Sequence, residues 1–294
     1  MANTREIKRR INSIQNTAQI TKALQMVSAS KMQKAQTRAE ESIPYSEGLY
    51  ELVKLIGNLE DFKSPYLREV EEVRSIALVI IGPSRGFVGA LTSNLTIEIN
   101  KSLKEFKKEF PNAKINSIAM HKVGKKIADL LHLDVTHFIS EFKESPDSED
   151  IETLKTILIN GFQAHEFDQV YLAYTHFVNT LTQEPKIKKI LPIEFKENGT
   201  EKEQSSAAQR DDFIFEPGKK DLLDSLLPEY FENQILTALL ESIASEHSAR
   251  MVSMQNATDN ALELIGSLNL EFNKSRQAKI TNEIIDIVSG SINK

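Results

Sequence analysis

The chain has 294 residues, 40% hydrophobic and 27% charged, with a formal net charge of -6; on length it holds one or two domains of ordinary soluble composition. It has no cysteine, which excludes a disulfide framework, a cysteine metal site and a thiol nucleophile. No apolar run approaches the roughly 18 residues of a membrane span. The opening Met-Ala-Asn-Thr-Arg-Glu-Ile-Lys has neither the apolar core of a signal peptide nor the acid-poor stretch of a transit peptide, so a cytosolic or peripheral protein is expected.

Residues 3–58 read as one helix. Asn3 or Thr4 can cap it and Glu6 favours its dipole. Ile7, Ile11, Ile14, Ala18 and Thr21 step by four and three, the spacing of a coiled coil, and Ile20, Leu24 and Val27 form a neighbouring stripe. From Ala23 to Ala39 the side chains turn small, which lets a second backbone approach. Pro44 predicts a kink and not a stop, because Tyr45, Leu49, Leu52 and Leu55 resume the pattern. Gly57-Asn58 and Ser64-Pro65 are breakers.

The middle of the chain changes character. Ser75–Ile81 is an apolar, β-branched run followed by glycine, a buried strand of parallel type. A helix is expected over 93–110, with Leu95, Ile99, Leu103 and Phe106 on one face. Strands follow at 115–119 and 135–139, with a short helix at 123–131 between them. After an acidic loop at 141–150 come a helix at 151–164, a strand at 170–174 and an edge strand at 187–192. Residues 196–212 are a polar loop and Phe213–Phe215 a short last strand. Strand–helix alternation predicts a small α/β sheet domain.

From Leu222 to Ile292 the pattern is again one helix, on the order of 100 Å long at about 1.5 Å per residue. Such a helix needs a partner. Met254, Ala257, Ala261, Leu264, Leu268 and Phe272 make a seam for it. Residues 1–39 carry eight basic side chains and one acid, a balance of +7; residues 211–294 carry fourteen acids and seven bases, a balance of -7. Opposite charge favours pairing of the two ends, although each exposed pair is worth under about 1 kcal/mol. No aromatic residue interleaves the basic ones before Tyr45, so a nucleic-acid surface is not expected. The fold expected is α/β: a long antiparallel coiled coil of the N- and C-terminal helices with an inserted small Rossmann-like α/β domain. The boundaries are 1–60 for the first helix, 61–212 for the insert and 213–294 for the closing helix.

Three features bear on chemistry. Gly82-Pro-Ser-Arg-Gly-Phe-Val-Gly89 follows a strand and precedes a helix, where α/β proteins cradle phosphate. It lacks the lysine of a P-loop and the Gly-x-Gly-x-x-Gly spacing, so a tight turn without ligand is expected. The six histidines show no i,i+4 pairing, and no metal or other cofactor is expected. Arg276, Gln277 and Thr281 lie within about one turn of each other. Two readings of that cluster stand level on spacing: a solvated face and a contact surface. The apolar tail Ile280, Ile284, Ile285, Ile287 and Val288 calls for insertion into something.

Over its full length, more weakly in the insert, the chain resembles the gamma subunits of bacterial F-type ATP synthases. The resemblance is carried by Ile-Lys-Arg-Arg-Ile (7–11), Ser-Ile-Gln-Asn-Thr (13–17) and Ile20-Thr-Lys-Ala-Leu-Gln-Met-Val-Ser-Ala-Ser-Lys-Met32. At the other end it is carried by Ala244-Ser-Glu-His-Ser-Ala-Arg-Met251, Asn256-Ala-Thr-Asp-Asn-Ala261 and the string from Phe272 to Gly290. The 82–89 turn departs from the family's Ser-Asp-Arg-Gly-Leu-Cys-Gly-Gly, and Leu24 stands where relatives often have methionine. The resemblance implies a non-catalytic central-stalk rotor. Its coiled coil would stand inside three alpha and three beta subunits, with the insert against the epsilon subunit and the membrane c-ring. It implies a peripheral place on the cytoplasmic face of the bacterial inner membrane, with no cofactor and no nucleic acid. It also implies that Arg276, Gln277 and Thr281 hydrogen-bond a loop of the beta or alpha subunits, and that Lys22, Lys31 and Lys34 face acidic beta loops. The alternative is a nucleotide-binding α/β protein with helical arms for oligomerisation.

Overall fold

In the computed structural model, residues 4–56, 64–68, 70–140, 146, 148–194, 215, 216 and 218–292 are described. They run as α1 (Thr4–Ile56), β1 (Ser75–Ile81), α2 (Leu91–Glu109), β2 (Lys114–Met120), α3 (His121–Leu130), β3 (Asp134–Ile139), α4 (Ser148–Gln163), β4 (Gln169–Phe177), β5 (Gln183–Leu191) and α5 (Lys219–Ile292). A 3-10 turn at Pro65–Leu67 follows the Ser64-Pro65 breaker, and Ser64 caps it. The breaker at 57–58, the polar loop at 196–212 and most of the acidic loop lie outside the described residues. So do Asn3 and the first two residues of the expected strand 213–215; Phe215 itself is not in a strand.

The chain forms two compact units, one of Met1–Ser30 with Arg250–Lys294, the other of Lys31–Ala249. In the first, α1 and α5 pair antiparallel. The Thr21 and Thr258 hydroxyls meet at 2.7 Å, and Gln25 Nε2 donates to Gln255 Oε1 at 2.7 Å. The buried or half-buried positions of α1 step 4, 7, 11, 14, 18, 21, 25 and 28, and the alternation of three and four continues along this helix to Ile56. That is the 3.5-residue repeat of a left-handed coiled coil. On α5 the matching steps are Met254, Thr258, Ala261, Ile265, Leu268 and Phe272.

The repeat corrects the predicted seams. Leu264 is 48% exposed and Ile265 takes its place, because a strict 3.5 repeat carries the seam one residue further on. Likewise Tyr45 and Leu52 are exposed while Leu49, Val53 and Ile56 are buried. The stripe of Ile20, Leu24 and Val27 lies off the seam and is exposed. Neither Pro44 in α1 nor Pro228 in α5 ends its helix.

In the second unit five strands form one sheet in the order β3-β2-β1-β4-β5, parallel except for β5. The apolar run of β1 serves both faces. Ile76, Leu78 and Ile80 pack with Leu95, Ile99 and Phe106 of α2 and with Ile127 of α3. Ala77, Val79 and Ile81 face a second layer built from Leu154 and Leu158 of α4, Val53 of α1, and Leu227, Phe231 and Ile235 of α5. The two long helices thus close one face of the sheet. Burying each such side chain is worth about 1.5–3 kcal/mol. An exposed pair such as Arg74–Glu72 adds under about 1 kcal/mol, so the apolar layers hold the unit together. The predicted edge strand begins earlier than expected, at Gln183, and turns back on β4 through a hairpin. The Asn179 side chain accepts from the backbone N–H of Leu181 and Thr182 at 2.9 Å each, an Asx turn.

Candidate functional site

The turn at 82–89 leaves the carboxyl end of β1, beside the point where strand order reverses between β1 and β4. Open α/β sheets place ligands there. In this chain α5 takes the position. Ser84 donates its backbone N–H to Glu246 Oε2 at 2.8 Å and its hydroxyl to Oε1 at 2.6 Å. Glu246 is buried. A carboxylate therefore occupies the amide that would greet a phosphate, and its charge repels one.

Three buried serines of α5 continue the attachment along the hairpin. Thr175 N–H donates to Ser242 Oγ at 3.3 Å, and Ser245 Oγ donates to the Thr175 carbonyl at 3.1 Å. Ser248 Oγ donates to the Thr180 carbonyl at 2.7 Å. Ser242, Ser245 and Ser248 are small, so the helix backbone comes close to the strands. The turn itself is equally tight. A Cβ on Gly82 would come within 2.4 Å of the Gly124 backbone nitrogen. His121 Nδ1 donates to the Gly82 carbonyl at 3.0 Å.

A second polar group lies beside it. His176 Nδ1 is 2.7 Å from Glu241 Oε2. Burial, helped by Glu241, pushes the Tyr174 hydroxyl above its ordinary value. Lys188 donates to Gln234, and its burial draws its pKa down, against the pull of Glu241. Among the described residues no group of three His, Asp or Glu could hold a metal ion.

The predicted contact residues lie on the long helices. Arg276, Gln277 and Thr281 are exposed on α5. Thr281 Oγ1 donates back to the Gln277 carbonyl at 3.0 Å, which joins those two on one turn. Lys279 and Glu283 make an i,i+4 pair at 3.6 Å close by. The register set by Thr21–Thr258 and Gln25–Gln255 brings Thr4 opposite about Ser275. Beyond that point α5 has no described residue of α1 to lie against. Ile280, Ile284, Ile285, Ile287 and Val288 are each about half exposed or more. Lys22 is exposed on α1 in the first unit and donates to Gln25 Oε1 at 3.2 Å. Lys31, half-buried, and Lys34, exposed, lie on α1 in the second unit.

Sequence reasoning passed over the attachment made by Glu246 and the three serines. Their signal was a run of small polar residues at helical spacing inside an otherwise apolar stretch of α5. It also passed over Met26, which is 60% exposed on α1. No helix of the described residues is long and apolar enough to cross a membrane.

The pattern of a protein family described as ATP synthase matches residues 3–292. The chain is 39% identical over 296 residues to the ATP synthase gamma chain of Roseiflexus sp. strain RS-1, covering 99% of this chain and 98% of that one. It is 40% identical over 297 residues to the ATP synthase gamma chain of Dehalococcoides mccartyi strain CBDB1, covering 99% of each. Among solved structures, a chain of the Euglena gracilis mitochondrial ATP synthase (OSCP/F1/c-ring, rotational state 3) superposes with a TM-score of 0.61. The two are 16% identical, over 97% of this chain and 92% of that one. A chain of the Tetrahymena thermophila mitochondrial ATP synthase central stalk and c-ring gives a TM-score of 0.57 at 21% identity, over 81% and 99%. These two likenesses are of fold.

Proposed function

The chain belongs to the ATP synthase gamma-chain family, and on that premise we propose that it is the central-stalk rotor subunit of an F-type ATP synthase. It couples ion-driven rotation of a membrane c-ring to the conformational cycling of catalytic beta subunits. The chain performs no chemistry itself. Rotation works as a mechanical population shift: the helices make different contacts with each beta conformer, so turning them changes which conformer is favoured. Three alpha and three beta subunits surround the coiled helices, and epsilon and the c-ring meet the insert. The membrane is reached only through the c-ring, on its cytoplasmic face.

The observation that carries this reading is the stretch of α5 beyond Ser275. There a helix exposes isoleucines and the polar group Arg276, Gln277 and Thr281, with no described residue of α1 in register. An apolar helix end is stable in water only when something surrounds it. Arg276, Gln277 and Thr281 bond a loop of that surrounding bearing, and Lys22, Lys31 and Lys34 face acidic loops of beta. The buried attachment of α5 to the sheet through Glu246, Ser242, Ser245 and Ser248 suits a part that passes torque from insert to helix.

Purification of the native complex tests the reading. One copy of this chain against three each of two larger chains is expected; a chain that purifies alone, or that hydrolyses ATP alone, refutes it. The double variant Arg276→Ala/Gln277→Ala tests the contact. Hydrogen bonds to charged groups are worth about 1.5–3 kcal/mol, so assembly or coupled turnover should fall roughly tenfold or more. Wild-type assembly and turnover would remove these residues from the bearing.

A further inference from the structure

The outer layer of the sheet domain carries a groove that the rotor reading leaves without a use. It runs between α2 and α3 and encloses about 590 Å³. Its apolar walls include Ile97, Val123 and Leu130. Ile97 is 66% exposed and Leu130 is 67% exposed. Their neighbours Leu95 and Ile99 are buried in the core, while Ile127, also buried, lines the groove. Two large aliphatic side chains facing each other across a groove differ from single apolar residues scattered on a surface, which need no explanation.

The rim is basic. Lys126 lines the groove. By helical spacing Lys101, Lys104 and Lys108 follow Ile97 along the outer flank of α2, and Lys122 precedes Lys126 by one turn on α3. Lys101 is 3.4 Å from Glu98. Of the other acids of the two helices, Glu105 and Glu109 lie further round α2, and Asp129 follows Lys126 by one turn on α3. Thr92, Ser93, Thr96 and Asn100 line it with neutral polar groups. An apolar floor between lysine rims fits the apolar stripe of an amphipathic helix whose flanks are acidic.

We propose that the α2–α3 groove seats an acidic amphipathic helix of another chain of the synthase. This rests on the rotor reading and adds a docking site on the sheet domain, away from the long helices. The basic rim steers the approach and sets the register, and the pair Ile97 and Leu130 anchors it.

The chain has no cysteine, so one introduced thiol labels one place. Asn100→Cys in the full chain, carrying a benzophenone maleimide, is photolysed within the purified native complex, and the product is mapped by mass spectrometry. The expected product joins position 100 to an acidic helical segment of a different chain. Adding Ile97→Glu and Leu130→Glu, both at exposed sites, should cut that product at least roughly tenfold. Raising the salt should also reduce it, since exposed charges are screened. A product with lipid or with a second copy of this chain overturns the proposal, as does an unchanged yield in the double variant. Absence of any product overturns it too when the labelled chain is present in the complex. A labelled chain absent from the complex, in a preparation where the unlabelled chain is absent as well, instead overturns the rotor reading.

Discussion

Glu246 is the residue on which the junction between sheet and helix turns. Both its oxygens accept from Ser84, and hydrogen bonds to a buried charge are worth about 1.5–3 kcal/mol. Glu246→Gln offers an N–H where an acceptor is needed and should destabilise the chain by about 1–3 kcal/mol. Ser84→Ala, which keeps the backbone bond, should lose less. Urea midpoints of the three proteins rank them, and equal midpoints would disprove the attachment. That glycine opens this turn is plain from sequence; why glycine is required at position 82 is not. The reason is the Gly124 backbone at the start of another helix, and only the packing of β1 against α3 brings it there.

At the scale of the element, burial along α1 follows the heptad rather than hydrophobicity alone. Ile11 and Ile20 have the same side chain on the same helix, one 7% and the other 61% exposed. Ile11→Ala should therefore cost about 2–5 kcal/mol, and Ile20→Ala within about 0.5 kcal/mol. Hydrogen exchange of the paired amides around Thr21 and Thr258 in the isolated chain measures both; similar losses would contradict the seam. The predicted repeat was legible in the first turns, where Ile7, Ile11 and Ala18 mark it. It faded beyond Thr21, where the seam is filled by Gln25 and Ser28, because a 3.5-residue spacing and a 3.6-residue spacing diverge only over several turns. The extra residues of β4 and β5 were missed for a similar reason. Thr175 and His176 look like loop, yet the hairpin to β5 pairs them.

For the whole molecule, pH gives a test of how the second unit is closed. Burial raises Tyr171 and Tyr230 from 10.0 to about 12. Below about pH 10 both are neutral in the folded and the unfolded chain, and their contribution is fully present. Between about pH 10 and about pH 12 the unfolded chain ionises first and binds fewer protons, so stability falls as pH rises. Lys188, lowered from 10.5 by burial, works the other way, its cost easing as pH approaches 10.5. Tyr171→Phe should flatten the alkaline fall in melting temperature even though it removes the bond to Gln169 at 2.8 Å. An unaltered slope would mean that this hydroxyl is open to water.

The sequence by itself determined the order of elements, the parallel character of the central strand and the need of the closing helix for a partner. These are consequences of local periodicity and of long family-specific strings. The Arg276, Gln277 and Thr281 cluster was also visible there, because helical spacing alone places those residues together. Tertiary structure alone decided which residues of each helix form the seam. It also decided that α5 closes one sheet face and holds the turn at 82–89 through Glu246, and that Ile97 and Leu130 face each other across an open groove. Each of these joins residues far apart in the chain, and burial at such contacts depends on what the fold brings opposite a side chain.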